Sequence, residues 1–135
     1  MYTLISEKDR AFVRAIRQAV QEKGKDFNYY DNKAIVHCVY FEPDGCPSCL
    51  IGYALSIMGY SLNDLQNLKI KKLQLSLDSE VNSSSAKIVL PELGFSHPIV
   101  FAATSAQLTQ DEKGSWGKAL DKFELILKNY EIIVD

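Results

Sequence analysis

Residues 6–24 read S-E-K-D-R-A-F-V-R-A-I-R-Q-A-V-Q-E-K-G, and they commit the chain to one long amphipathic helix. Ser6 with Asp9 three residues later forms a reciprocal N-cap, and Gly24 is a stop. Between them Phe12, Ile16, Ala19 and Val20, with Val13 and Ala15 beside them, line one face at helical spacing. Such a face has to be covered by the rest of the chain. With 135 residues, 47% of them hydrophobic and 24% charged, that chain is long enough to do so as a single soluble domain over 1–135.

The second constraint is punctuation. Residues 34–41 (A-I-V-H-C-V-Y-F) are β-branched and aromatic, which predicts a strand. Pro43-Asp44-Gly45 is a turn, because proline presets φ and glycine accepts a positive φ. Pro47 sits where a first helical residue belongs, and Leu50, Ile51, Ala54, Leu55 and Met58 follow at helical spacing until Gly59. Ser61 and Asp64 cap a short helix carrying Leu62, Leu65 and Leu68. Leu73, Leu75 and Leu77 alternate with polar residues, as a strand would. Residues 78–85 are a loop. From Ser96 the pattern is helical up to Gly114, with Pro98 at its start. Ser115 caps a last helix with Trp116, Leu120, Phe123 and Leu127 inward. Residues 131–134 are β-prone. The expected fold is α+β, a helix-rich single domain with a small β-sheet built from 34–41, with 2–5, 73–77 and 131–134 as further strands.

Charge argues against a bulk nucleic-acid binder. The chain totals −2, yet residues 6–25 carry six basic against three acidic side chains. Arg10, Arg14 and Arg17 lie at i, i+4 and i+7, a row that can clamp a phosphate, and Tyr29 and Tyr30 can stack on a base. This makes residues 6–23 a candidate surface for an anionic partner. The solvated helix face is the bland alternative.

The cysteines allow three readings. A zinc site would draw on His37, Cys38, Cys46, Cys49 and His97, but strand neighbours His37 and Cys38 point to opposite faces, so no metal site is expected. Cys46 and Cys49 bracket P-S ahead of a helix, the local order of a thioredoxin-like site, whose thiolate is stabilised by the helix N-terminus. In that reading Pro91 or Pro98 faces the disulfide. In the third reading Cys38 and Cys49 are small buried hydrophobes and Cys46 is incidental in the turn. No G-x-x-x-x-G-K-S/T, H-E-x-x-H or G-x-S-x-G occurs, and two histidines leave little acid–base chemistry, so no cofactor and no catalytic residue is expected.

Cys38-Val39-Tyr40, then Gly45-Cys46-Pro47-Ser48-Cys49-Leu50-Ile51-Gly52 with Ala54-Leu55, then Gln107, Gln110-Asp111, Gly114, Trp116-Gly117 and Ala119-Leu120 resemble a group of small phage and prophage proteins. Cys46 falls on an open position of their pattern. The resemblance implies a phage-encoded protein acting in the cytoplasm of an infected bacterium, and the absent catalytic motifs make a non-enzymatic binding protein the expected function. Such a protein would inhibit or sequester a host component, either a host protein or a nucleotide used in defence signalling. The alternative is a thioredoxin-like thiol–disulfide protein using Cys46 and Cys49. A third class is a nucleotide- or RNA-contacting module built on the arginines and tyrosines. The N-terminus lacks a secretory pattern, no apolar run reaches the ~20 residues of a membrane span, and cytoplasm is the default. The β-prone end at 130–134 predicts either pairing with residues 2–5 or a homodimer.

Overall fold

The computed structural model describes residues 5–29, 39–68 and 81–135. In these the chain forms helices α1 (Glu7–Lys23), α2 (Leu50–Ile57), α3 (Leu62–Gln66), α4 (Ala86–Glu92), α5 (His97–Asp111) and α6 (Trp116–Asn129), with a 3-10 turn over Val81–Ser83. The fold is helical, not α+β. Among the described residues no strand occurs, only one isolated antiparallel bridge between Phe41 and Pro47.

Each expected strand can be accounted for. Residues 2–4, 34–38 and 73–77 lie outside the described residues, and Ile5 is in none. At 39–41 the backbone finds partners other than a neighbouring strand. The Tyr40 N–H donates to the Asn82 carbonyl at 3.0 Å, and the Asn82 side chain both accepts from Phe41 N–H (3.0 Å) and donates to the Phe41 carbonyl (2.8 Å). One amide side chain thus does what a strand neighbour would do. At 131–134 the chain leaves α6 through Glu131 in left-handed backbone (φ 56°), with Ile132 N–H returning to the Leu127 carbonyl at 2.9 Å. Ile132 and Val134 then bury against the core as an irregular tail.

The helices follow their sequence signals closely. Ser6 and Asp9 make the reciprocal cap of α1, at 3.1 and 3.0 Å, and Ser61 with Asp64 repeats it for α3. Ser115 caps α6 through Lys118 N–H at 3.2 Å. Two signals misled. Pro47 is not the first residue of α2, which starts three residues later with Cys49 as N-cap, because Pro47 is taken into the bridge with Phe41. The short α4 was not anticipated, although Ser85 caps it through Lys87 N–H.

Buried side chains form one contiguous core. Phe12 of α1 packs against Phe95 and Phe123, with ring centroids 5.1 and 6.0 Å away. Trp116 packs against Phe27 (4.6 Å) and Tyr53 (5.7 Å). α5 and α6 make a helical hairpin through the turn at 112–115, and α4 also packs against α5. Gly52 lets α2 approach the Tyr40 backbone, since a Cβ there would stand 2.0 Å from the Tyr40 carbonyl oxygen.

Candidate functional site

The cysteine turn does not build a thiolate site. Residues 39–49 close a tight loop in which Gly45, with φ 91°, donates to the Glu42 carbonyl and Glu42 N–H to the Cys46 carbonyl, both at 2.8 Å. Cys46 is exposed and Cys49 buried, and both are free. The Asp44 carboxylate accepts the Cys46 N–H at 3.0 Å. A hydrogen bond to that carboxylate, with its negative charge, holds the Cys46 proton and pushes the thiol's pKa up. An attacking cysteine needs the opposite shift. The first N–H of the helix that would supply it is already taken, because Gln110 of α5 accepts the Leu50 N–H at 2.8 Å. As for metal ligands, His37 and Cys38 lie outside the described residues, among which no group of three or more potential ligands converges.

The arginine row finds its acceptors inside the chain. Arg17 grips Glu124 of α6 with Nε and Nη2, at 2.6 and 3.0 Å, and donates from Nη1 to the Val134 carbonyl at 2.6 Å. Its guanidinium pKa is raised, first by the hydrogen bonding to Glu124, so it stays charged. Arg14 reaches the Asp135 carbonyl at 3.4 Å, and Arg10 stands 3.7 Å from Glu7. Two of the three therefore hold the C-terminal tail onto α1. Tyr29 is only 1% exposed, with its hydroxyl 2.7 Å from that of Ser48. Tyr30 lies outside the described residues. Thus Arg17 and Arg14 contact α6 and the tail, while the Tyr29 hydroxyl meets Ser48.

The Gln107-x-x-Gln110 pair turns out to be structural. Gln107 accepts the first N–H of α4, at Ala86, at 2.8 Å and donates to the Tyr40 hydroxyl at 3.2 Å. Gln110 accepts the Leu50 N–H and also the Trp116 indole N–H at 3.0 Å. One turn of α5 thus caps two other helices. Gly117 belongs to the same set, since a Cβ there would meet the Lys25 carbonyl oxygen at 2.6 Å. Apart from Cys38, which is outside the described residues, the residues that carry the phage resemblance are mainly those that knit the helices together.

Among the described residues a cavity of about 750 Å³ lies between Phe41, Pro43, Leu62 and Val81, and a second hollow, a groove, runs along α5. At one end Val100, Phe101 and Thr104 face Pro91 and Lys87 of α4, with Phe95 and His97, around a volume of about 500 Å³. Thr104 also lines another cavity of about 340 Å³, between Leu108 and Asp111 on one side and Ser83, Ser84 and Ser85 on the other. Phe101 is 47% exposed and Leu108 58%. His97, Phe101 and Tyr130 form an aromatic cluster at the apolar end, with centroids 6.4–6.5 Å apart. Sequence reasoning missed this surface, although a signal was there. Between His97 and Asp111 no charged residue occurs, whereas a helix with an ordinary solvent face carries several.

No family model, curated protein or solved structure matches the chain.

Proposed function

We propose that the protein is a small phage-encoded, non-enzymatic binding protein that inhibits or sequesters a host component in the bacterial cytoplasm, and that the α4–α5 groove is its contact surface. The observation that carries this is the uncharged outer face of α5, with Phe101 and Leu108 half-exposed over a groove. Apolar side chains grouped in this way on a small domain are characteristic of a contact surface. The motif resemblance supplies the phage setting. Among the described residues no helix is long and apolar enough to cross a membrane. A host protein fits the groove better than a signalling nucleotide does. Bidentate recognition of a nucleotide's phosphates favours arginine, and Arg17 and Arg14 are bound to the chain's own α6 and tail, which leaves Lys87 lining the groove.

The test is a photo-crosslinking residue at position 101, expressed in bacterial cells. The expected result is an adduct with one host protein that binds the purified chain in titration and is lost with Leu108→Glu. Tight binding of a cyclic dinucleotide, with no host-protein adduct, would overturn the reading in favour of a nucleotide sponge.

A further inference from the structure

We infer that the α5 face is self-complementary and that, in the free protein, a second copy of this chain occupies it as an antiparallel α5–α5 pair. The inference rests on reading the groove as a contact surface, and it names the occupant. Phe101 and Leu108 are seven residues apart, hence on one stripe of the helix, with Thr104 and Ser105 between them. A twofold axis midway between 104 and 105 sets Phe101 of each copy against Leu108 of the other, as an isologous contact requires. The same register sets His97 against Glu112, one imidazole facing one carboxylate at each end. Apolar and polar pairs therefore agree on a single alignment. The helix dipoles agree with it too, since the N-terminus of each α5 meets the C-terminal end of its twin. Lys113 lies beyond that end, where the chain turns into left-handed backbone (φ 69°).

The residues at the crossing point suit close approach. Thr104 and Ser105 are small, which helices packed at 8–10 Å between axes need. The Thr104 hydroxyl already donates to the Val100 carbonyl at 2.7 Å, so covering it strands no donor. The apolar end of the groove, walled by Pro91 and Phe95, is open to receive Leu108 of the second copy. A contact confined to α5 and its rim is small for a protein interface, as weak and transient associations are.

Sedimentation equilibrium from low micromolar to the highest soluble concentration is the first measurement. The expected result is a monomer–dimer equilibrium, weakened at least tenfold by Leu108→Glu, whose exposed position leaves the circular dichroism and unfolding midpoint unchanged. Geometry is tested by oxidation in a Cys46→Ser background. Thr104→Cys lies at the axis and should form a disulfide-linked dimer. In Phe101→Cys the twin thiols are set apart by about seven residues of helix, ~10 Å, and should not link. His97→Glu and Glu112→Lys should each weaken the dimer, and the two together should restore it. A monomer at every concentration, a dimer indifferent to Leu108→Glu, or linkage at position 101 as efficient as at 104 would overturn the pairing. A host-protein adduct from position 101 is read independently of these results, so the failure of one reading does not conceal the failure of the other.

Discussion

The side-chain carbonyl of Gln110 accepts a hydrogen bond from the backbone N–H of Leu50 at 2.8 Å, across 60 positions of sequence. That one contact changes the meaning of the C-P-S-C turn. A thioredoxin-like site keeps the first turn of its helix open toward the attacking sulfur, so that the helix dipole lowers the thiol's pKa. Here a buried amide takes the first N–H of that turn, and the same oxygen also accepts the Trp116 indole N–H. The turn, the helix after it and the α5–α6 hairpin are thereby locked together.

Gln110→Leu keeps the volume but removes the acceptor from two donors. Each buried donor left unsatisfied costs roughly 1–3 kcal/mol, so the variant should lose about 2–6 kcal/mol in urea unfolding. A loss below ~1 kcal/mol would mean that water reaches both donors and that the lock is not as described.

Cys46 should be a sluggish nucleophile. With its pKa raised by the hydrogen bond and charge of Asp44, a smaller thiolate fraction exists at neutral pH than for an ordinary cysteine. Alkylation followed by mass spectrometry should therefore be slower than for an unstructured cysteine peptide, and the rate should catch up only as the pH is raised. Asp44→Asn should speed it. Faster alkylation than the peptide, together with catalytic reduction of insulin, would restore the thiol–disulfide reading.

Much of the helical architecture was legible because helix ends announce themselves locally. Ser6 and Asp9, Ser61 and Asp64, Ser115, and Gly24 each act on neighbours within a few residues, so the caps could be read from spacing alone. What was not legible depended on distant partners. Nothing around Tyr40 and Phe41 says that Asn82 will satisfy their backbone, and an apolar, β-branched run with unknown partners reads as a strand. The arginines of α1 read as a free clamp for the same reason, because Glu124 and the tail carbonyls meet them only once α6 has docked. The α5 face was visible in principle, as a stretch without charge, but apolar helix residues are ordinarily assigned to the core.

Gly52 is required by the approach of α2 to the Tyr40 carbonyl. A Cβ at 2.0 Å from that oxygen cannot be accommodated by a side-chain shift, since the obstacle is backbone. Gly52→Ala should destabilise at or above the ~1–3 kcal/mol typical of overpacking. Thermal unfolding checks this, with Gly59→Ala as a comparison at a position where a Cβ meets no atom within 4 Å but φ is 101°. The Gly59 variant should show only the strain of its positive φ, and a Gly52 variant as stable as wild type would contradict the packing.

The arginine row separates into unequal members, and stability measurements can resolve them. Arg17 makes a two-pronged contact with Glu124 and a third bond to the Val134 carbonyl, with both charged side chains about one-third exposed. Solvent screening discounts such a pair, so Arg17→Met should cost about 1 kcal/mol, mostly by releasing the tail and the α1–α6 contact. Arg10→Met, whose partner Glu7 is 87% exposed and 3.7 Å away, should change stability by less than ~0.5 kcal/mol. High salt should narrow the difference between them, because part of it is ionic. Amide exchange adds a readout of place. In Arg17→Met, Ile132 N–H and the last turn of α6 should exchange faster, while the first turn of α1 stays protected. Equal effects from all three arginines, or salt-weakened binding of an anion at residues 10–17, would contradict an inward-facing role for Arg17.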